Sequence, residues 1–424
     1  MTTKDNNGQN DGSQLFPGEK LVFSEADTKL SPSDEEINRR YVTGEIRIVT
    51  ESARYSLAGI LKMLQEKVET GEPRYKLDPE YQRRHRWNVE RKSRLIESFL
   101  MNVPVPPVFL YEHELARFEV MDGRQRLNTL MEFYADKFEL KGLQYWTELH
   151  GKTYSKLPSK VKDGIDRRYI SSIILLKETA SSEEKAAQLK KLVFERLNSG
   201  GVKLSPQETR NAVYDGALNQ LCLKLSKNQD FCALWGIPTE APLDADDNNE
   251  EEEKDDSTAT GKTMFEKMDD VELVLRFFAY RQIGESKSGL NRIASFLDLY
   301  LLNGNKFGPE TLKSFEEMFQ NTVSFLFQVL GKEAFCRLKQ DKTLGGKPMK
   351  IVYDPMMYVA SHYCMGKERE KLISGKALLL EEIQTMYLEN GDLFEGRRTN
   401  TVDIQPRNKR VEKAFQNALA KIKP

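Results

Sequence analysis

The sequence has few of the residues that build metal centres and disulfide frameworks. Four cysteines and four histidines occur in 424 residues. The cysteines lie far apart and in no CxxC spacing, at Cys222, Cys232, Cys336 and Cys364. No two histidines stand at metal-ligand spacing. We therefore expect incidental or buried thiols and no metal site, which argues against zinc proteins and HNH nucleases.

An excess of one charge and a long apolar run are also missing. Lys and Arg number 64 and Asp and Glu 65, for a formal net charge of −1. Bulk charge therefore gives no argument for nucleic-acid binding, and any basic surface has to be local. No run of about 18 apolar residues occurs, and residues 1–7 lack the apolar core of a secretory signal. These absences predict a cytoplasmic protein without membrane contact.

Composition divides the chain into four parts. Residues 1–35 are rich in Asn, Gly, Ser, Asp and Lys, and they predict a disordered tail. Residues 241–262 contain the acidic run Glu250–Glu253 and predict a linker or surface loop. The two remaining bodies, 36–240 and 263–424, are each long enough for a domain.

Helical and strand patterns alternate in the first body, whereas the second body has helical patterns alone. We expect first-body helices at 57–68, 89–101, 183–197 and 206–225, a hairpin around His113, and a strand at 169–176. Amphipathic patterns in the second body predict helices at 271–281, 293–302, 312–330, 355–364 and 411–422. The predicted fold class is α+β, with an all-α carboxy-terminal domain.

The most informative stretch is a strand, a glycine turn and a helix start at residues 118–130. The turn reads Asp122-Gly123-Arg124-Gln125-Arg126. Glycine permits positive φ and close approach of a ligand, and a helix start attracts anions. Arg124 and Arg126 could bind phosphate oxygens through paired hydrogen bonds. An ordinary βα turn would use similar residues, so the structural alternative stays open.

Two further stretches carry candidate residues. In the first, Gln82 and Arg83 precede Trp87, a mixture that suits phosphate contact and base stacking. A plain loop with its Trp in the core would look the same. In the second, a helix ends near Asn198, and Ser205-Pro206-Gln207-Glu208 begins the next one as a capping box. Capping leaves Asn198 and Lys203 as the candidates for function there.

Two other signals are weaker. Thr260-Gly261-Lys262-Thr263 has the ending of a phosphate-binding P-loop, but an acidic run precedes it instead of a strand, so we reject the motif. Glu119 and Asp122 beside Arg124 could belong to a metal-dependent nuclease. Two carboxylates on one strand are weak support for that interpretation.

Residues 52–225 resemble the amino-terminal domain family of the GmrSD-type, modification-dependent restriction endonucleases. The resemblance rests on four motifs in the same order, namely Pro79–Trp87, Leu95–Pro107, Asp122–Leu127 and Phe194–Arg210. The family's signature turn usually reads Asp-Gly-Gln-Gln-Arg, and here Arg124 replaces the first Gln. The family has a ParB/sulfiredoxin-like core, so the resemblance implies that fold for residues 36–240.

The resemblance also implies a function. Family members are associated with nucleoside triphosphate (NTP) binding or hydrolysis and with sensing modified DNA in defence against phage. By analogy, Asp122 and Arg126 would be catalytic, and Gly123, Arg124 and Gln125 would bind an NTP with Mg²⁺. Three more residues would lie near the nucleotide: Gln82, Arg83 and Asn198.

Complete enzymes of this kind carry a second, HNH-like nuclease domain with an essential histidine, and residues 263–424 show no such cluster. We therefore favour NTPase over nuclease activity, with DNA and a separate HNH nuclease subunit as partners. Two alternatives stay open, namely a DNA-binding module without turnover and an autonomous metal-dependent endonuclease. Self-association also stays open.

Overall fold

The chain forms two compact units in this computed structural model: Thr28–Val213, and Tyr214–Pro424 together with Met1–Asp27. The structure describes residues 15–19, 21, 35, 38, 49–77, 87–176, 183–197, 205–239, 256–283, 293–395 and 403–422. The division falls between residues 213 and 214 rather than at the expected 240. We call the two parts the sheet unit and the helical unit.

A five-stranded mixed sheet organises the sheet unit, with strand order β1-β5-β3-β4-β2. Its strands are β1 (Thr50–Ser56), β2 (Tyr75–Lys76), β3 (Val108–Glu114), β4 (Arg117–Asp122) and β5 (Tyr169–Leu175). β1 runs antiparallel to β5, β5 parallel to β3, β3 antiparallel to β4, and β4 parallel to β2. The predicted hairpin around His113 is confirmed as β3–β4. The sequence pattern did not indicate β1, because this edge strand is mostly exposed and mostly polar.

Alternating side chains give the sheet two apolar faces. Leu110 and Val120 belong to the larger core, whereas Phe109 and Met121 lie in a smaller core on the other side. This alternation follows from the geometry of a β-strand, since successive side chains point to opposite faces of the sheet. Buried faces on both sides require helices on both sides.

Four helices contribute to the larger core: α1 (Leu57–Leu64), α2 (Val89–Leu100), α3 (Arg124–Tyr134) and α4 (Ser159–Asp166). The prediction for α2 is confirmed to within one residue. The prediction for α1 was too long, because the chain leaves the helix after Leu64 and forms a bridge between Lys67 and Pro73. Gly71, with φ of +85°, permits that reversal.

Two helices cover the smaller core, namely α5 (Glu183–Leu197) and α6 (Pro206–Val213). Phe194 and Ala212 pack there against Met121 and Leu175. The predicted capping box is present at the start of α6, since the Glu208 carboxylate accepts from Ser205 N–H at 2.7 Å and Ser205 Oγ accepts from Glu208 N–H at 3.1 Å.

The helix predicted over 206–225 is two helices, and this prediction was wrong. α6 ends at Val213 and α7 begins at Ala217. Asn305 Nδ2 donates to Tyr214 O at 2.8 Å, and Asn305 Oδ1 accepts from Asn219 N–H at 3.1 Å. A Cβ on Gly216 would lie 2.5 Å from Asn305 Cγ, so a glycine is needed for this approach. A tertiary contact therefore interrupts a continuous helical pattern.

Ten helices make up the described part of the helical unit. They are α7 (Ala217–Leu225), α8 (Gln229–Trp235), α9 (Asp256–Glu266), α10 (Asp269–Ile283), α11 (Ile293–Gly304), α12 (Pro309–Leu330), α13 (Lys350–Tyr363), α14 (Gly366–Ser374), α15 (Lys376–Asn390) and α16 (Ile404–Lys421). The sequence patterns did not indicate α8, α14 and α15, and they predicted a linker or loop where the first part of α9 lies. They also placed the starts of α13 and α16 too late. Two-residue strands at Arg337–Leu338 and Leu344–Gly345 are the exception to the predicted all-α domain.

The predicted α+β class is confirmed, since a sheet with helices precedes a helical region. The ParB/sulfiredoxin-like relationship of the sheet unit stays a prediction. The rejected P-loop ending lies within α9, where a Cβ on Gly261 would collide with Gly236 O at 1.8 Å. In the part of the chain that the structure describes, no helix is both long and apolar enough to cross a bilayer.

Residues 15–19 and 21 lie in the segment predicted as a disordered tail, yet they pack on the helical unit. Glu19 is fully buried, and both of its carboxylate oxygens accept from Arg281 Nη1, at 2.8 and 2.9 Å. Thr311 donates to Pro17 O at 2.7 Å. We call residues 15–19 together with Leu21 the amino-terminal clamp.

Candidate functional site

The Asp122–Arg126 turn has the geometry that its sequence predicts. β4 ends at Asp122, Gly123 adopts φ of +92° and ψ of +8°, and α3 begins at Arg124. A Cβ at position 123 would stand 2.5 Å from Val108 Cγ1 and 2.9 Å from Arg126 Nη2. Glycine is therefore needed for its left-handed backbone and for close packing against β3.

Arg126 connects the turn to the chain that enters β3. Its Nη2 donates to Asp122 Oδ2 at 3.0 Å and to Pro107 O at 3.1 Å. The Arg126 side chain is 15% exposed and that of Asp122 is 41% exposed. Arg126 Nε is buried and has no hydrogen-bond partner. Both predicted catalytic residues therefore support the turn itself, and Asp122 is the more accessible of the two.

Arg124 and Gln125 occupy the first turn of α3 and are partly exposed. Gln125 O accepts from the Thr129 hydroxyl at 2.7 Å, which reinforces the second turn of the helix. The first turn thus combines the partial positive charge of a helix start with two arginines. The turn is suited to bind an anion.

Four predicted candidates, Gln82, Arg83, Asn198 and Lys203, lie outside the described residues. The neighbouring Trp87 is described, and it packs against the larger core with the Arg91 guanidinium 4.7 Å from its ring centroid. This ring is therefore half-buried under an arginine. The structural alternative for Trp87, an anchored core side chain, agrees with the geometry.

The other carboxylates near the turn have different partners. Glu119 accepts from Lys190 Nζ at 2.7 Å, and the ion pair connects β4 to α5. Asp122 instead pairs with Arg126 of α3, so the two carboxylates do not converge. Glu208 is engaged in the capping box of α6. Among the described residues, no group of three or more His, Cys, Asp and Glu side chains could hold a metal ion.

The sequence pattern did not indicate one loop whose backbone is held by a buried carboxylate. Glu97 of α2 is 3% exposed, and its carboxylate accepts the backbone N–H groups of Gln144, Tyr145 and Trp146 at 3.2, 2.7 and 3.0 Å. We call residues 141–146 the aromatic loop, because Tyr145 and Trp146 are exposed. Adjacent aromatic residues beside Gly142 were the available signal. The acceptor beneath them lies 47 or more residues away in sequence, so it is invisible to local patterns.

Acidification is expected to loosen the aromatic loop. Burial opposes ionisation of Glu97, but its three backbone donors hold its pKa below the ordinary 4.5. The lowered pKa gives stability that is complete above about pH 4.5 and is lost as the pH falls through the lowered value. Trp146 fluorescence should report this loss, and Glu97→Gln should remove the pH dependence. A transition of equal size in Glu97→Gln would contradict the assignment.

One comparison with known proteins, the match to a family model, agrees with the motifs. No curated protein and no solved structure matches the chain. Residues 60–214 match the family model of the GmrSD restriction endonuclease, N-terminal domain. The matched range extends from α1 past the end of α6 and includes the whole turn, and it indicates a restriction system and an interaction with DNA. Residues 60–214 thus match the model of the same family that the sequence motifs resemble.

Proposed function

We propose that this protein is the nucleotide-dependent component of a modification-dependent restriction system that defends the cell against phage. In this proposal an NTP with Mg²⁺ binds at the Asp122–Arg126 turn in the cytoplasm. Binding changes how the chain engages modified DNA and a separate HNH nuclease subunit. The observation that carries the proposal is the left-handed Gly123 directly before a basic first turn of α3.

Phosphate recognition suits this turn for two physical reasons. Backbone N–H groups at a helix start point towards the position of an anion, and the helix dipole favours negative charge there. Arg124 adds a guanidinium from the first helical residue. Arg126 adds its own charge close by, while its bonds to Asp122 and Pro107 keep the turn in one conformation. A preorganised site loses less entropy when the ligand binds.

Hydrolysis would need more than this turn supplies. Transfer of a phosphoryl group to water requires an oriented water molecule and neutralisation of the charge on that group. Mg²⁺ and arginines supply the neutralisation. Arg124 or Arg126 would provide that neutralisation. Glu208 is engaged in capping, which leaves Asp122 as the nearer acceptor for a water proton. The geometry therefore supports nucleotide binding more strongly than rapid turnover.

The leading alternative is a DNA-binding module in which the same arginines contact the phosphate backbone. When a protein holds DNA mainly through phosphate contacts, its affinity for DNA falls steeply as the salt concentration increases. Nucleotide and DNA would then compete at the turn, whereas in the leading proposal they bind together. Competition is thus the property that separates the two functions.

Arg124 variants are the most direct test of the proposal. Arg124→Ala should weaken binding of NTP with Mg²⁺ about 10- to 150-fold, since a hydrogen bond to a charged group contributes roughly 1.5–3 kcal/mol. Arg124→Gln, which restores the residue usual in the family, should retain more affinity than Arg124→Ala. Calorimetry with ATP, GTP, CTP and UTP measures binding, and phosphate release with and without modified DNA measures turnover.

Arg124 is the better position to vary because it is partly exposed, whereas removing Arg126 would also loosen the turn. Thermal denaturation checks that each variant stays folded. If none of the four nucleotides binds the intact chain, or if Arg124→Ala binds as tightly as the unaltered protein, nucleotide binding at this turn is disproved. Mutual exclusion of nucleotide and DNA would favour the alternative.

A further inference from the structure

Side chains packed beneath the aromatic loop hold its backbone through hydrogen bonds. In addition to the three N–H groups on Glu97, Ser93 Oγ accepts from Lys141 N–H at 2.9 Å and His150 Nε2 accepts from Leu143 N–H at 2.9 Å. Gly142 adopts φ of +62°, so the loop bends where only glycine is unstrained. Five backbone N–H groups within six residues are thus held by side chains. Such a loop presents its side chains in a nearly fixed position.

This fixed loop carries two exposed aromatic rings. Tyr145 is 73% exposed and Trp146 is 39% exposed, whereas Trp87 is half-buried and Trp235 is 3% exposed. Tyr and Trp are enriched at binding surfaces because each ring supplies a large apolar contact area and a polar atom. Here two adjacent rings stand on a backbone that a buried carboxylate holds in place. The arrangement indicates that the rings have a binding partner.

We propose that Tyr145 and Trp146 form a stacking platform for an unpaired nucleobase of a DNA strand. Every base offers a π-face, and stacking on aromatic side chains is a recurrent mode of single-strand binding. Exposed Lys141 belongs to the same loop, and exposed Lys137 precedes it by four residues, so both can attract the strand's phosphates. Among the acidic residues nearby, Glu139 pairs with Lys156 at 3.6 Å, and Glu90, which lies against Gly142, pairs with Arg94 at 3.9 Å. Exposed Glu148 opposes the charge of the lysines.

The size of the patch favours a base over a folded protein. A stable protein interface buries about 800 Å² on each partner. The two rings stand on a short loop flanked by the charged residues Lys141 and Glu148, which interrupt an apolar surface. Two flat rings with cations beside them are sufficient for one or two bases.

The platform is a different site from the nucleotide turn. The turn is at the start of α3, whose 11 residues span about 16 Å. Near the other end of that helix, Glu132 pairs at 2.8 Å with Lys92 of α2, the helix whose Glu97 holds the loop. The inference therefore does not depend on nucleotide binding at Asp122–Arg126.

Fluorescence of the intact chain tests the platform, because Trp146 is the most exposed of the three tryptophans. A single-stranded oligonucleotide should quench the emission, and the duplex of the same sequence should quench it less. Trp146→Ala and Tyr145→Ala should each weaken single-strand binding about 5- to 150-fold, the range for removing one stacked ring. Trp146→Phe should retain most of the affinity and lose the quenching.

Tyr169→Ala is the matched control, because Tyr169 is 58% exposed in the same unit but belongs to β5. This variant should bind single strands as the unaltered protein does. Thermal denaturation shows that each variant is folded. The proposal is overturned if the intact chain binds no single strand, if the two alanine variants bind normally, or if Tyr169→Ala weakens binding equally. Quenching that persists in Trp146→Phe would also overturn it.

Discussion

Glu19→Ala is expected to lower the free energy of unfolding of the helical unit by about 3–5 kcal/mol, the usual cost of removing one partner from a buried ion pair. Glu19 is 0% exposed, and the Arg281 side chain is 2% exposed. Removing the carboxylate would leave the guanidinium charge in a site that excludes water. The loss should therefore exceed that of any exposed charge in this protein, where pairs contribute roughly 0–1 kcal/mol.

The same substitution should also release the amino-terminal clamp. Gln282 Nε2 donates to Glu19 O at 2.9 Å, and Glu19 Oε2 accepts from Phe16 N–H at 2.8 Å. The Phe16 ring lies 5.8 Å from Phe315 and 5.0 Å from the Arg281 guanidinium carbon. Because one carboxylate organises these contacts, the clamp should detach as a unit and become sensitive to protease.

Chemical denaturation followed by Trp235 fluorescence is the measurement, with Trp87→Phe and Trp146→Phe in the background. Trp235 is then the one remaining tryptophan, and it lies in the helical unit. The double variant Glu19→Ala with Arg281→Met is the control, since it removes the buried charge together with its partner. It should be more stable than Glu19→Ala alone. A loss below 1 kcal/mol in Glu19→Ala would show that the pair contributes little.

Gly123→Ala is expected to destabilise the sheet unit by about 2–5 kcal/mol and to abolish binding at the turn. Forcing an L-residue into the left-handed region costs roughly 1–2 kcal/mol. Overpacking adds about 1–3 kcal/mol, because the new Cβ would lie 2.5 Å from Val108 Cγ1. Its approach to Arg126 Nη2 at 2.9 Å would also disturb the bonds to Asp122 and Pro107.

Gly71→Ala separates the cost of the left-handed backbone from the cost of overpacking. Gly71 lies in the same unit with φ of +85°, but a Cβ there would meet no atom within 4 Å. Its substitution should therefore cost only the backbone component and leave nucleotide binding intact. Denaturation followed by circular dichroism gives the free energies, and calorimetry gives the affinity. Equal losses in the two variants would mean that packing against Val108 is unimportant.

Local chemistry was sufficient to predict the turn, the capping box and the hairpin. Asp122-Gly123 followed by an amphipathic run specifies a strand, a left-handed residue and a helix, because each depends on neighbours within a few positions. Ser205 and Glu208 satisfy each other three residues apart. For the same reason the family motifs were readable, since their residues are contiguous in sequence.

Long-range contacts account for three features that these local patterns did not predict. Asn305 interrupts the helix predicted over 206–225 from about 90 residues away, and Glu97 holds a loop 47 residues further along. Arg281 recruits Glu19 from 262 residues away into a segment whose composition predicted disorder. A polar side chain gives no local sign that its partner is a distant backbone N–H or a buried charge.

The same distinction between local sequence and tertiary packing applies to the residues of the Asp122–Arg126 turn. The residue types at Asp122–Arg126 indicate an anion-binding turn from sequence, because charge and glycine content are properties of the residues themselves. Packing determines which of these residues supports the turn and which is accessible to a ligand. Arg126 faces Pro107 and Asp122, whereas Arg124 is left partly exposed, since the start of β3 lies against one side of the turn. Sequence identifies which groups are present, and the fold determines which of them can reach a ligand.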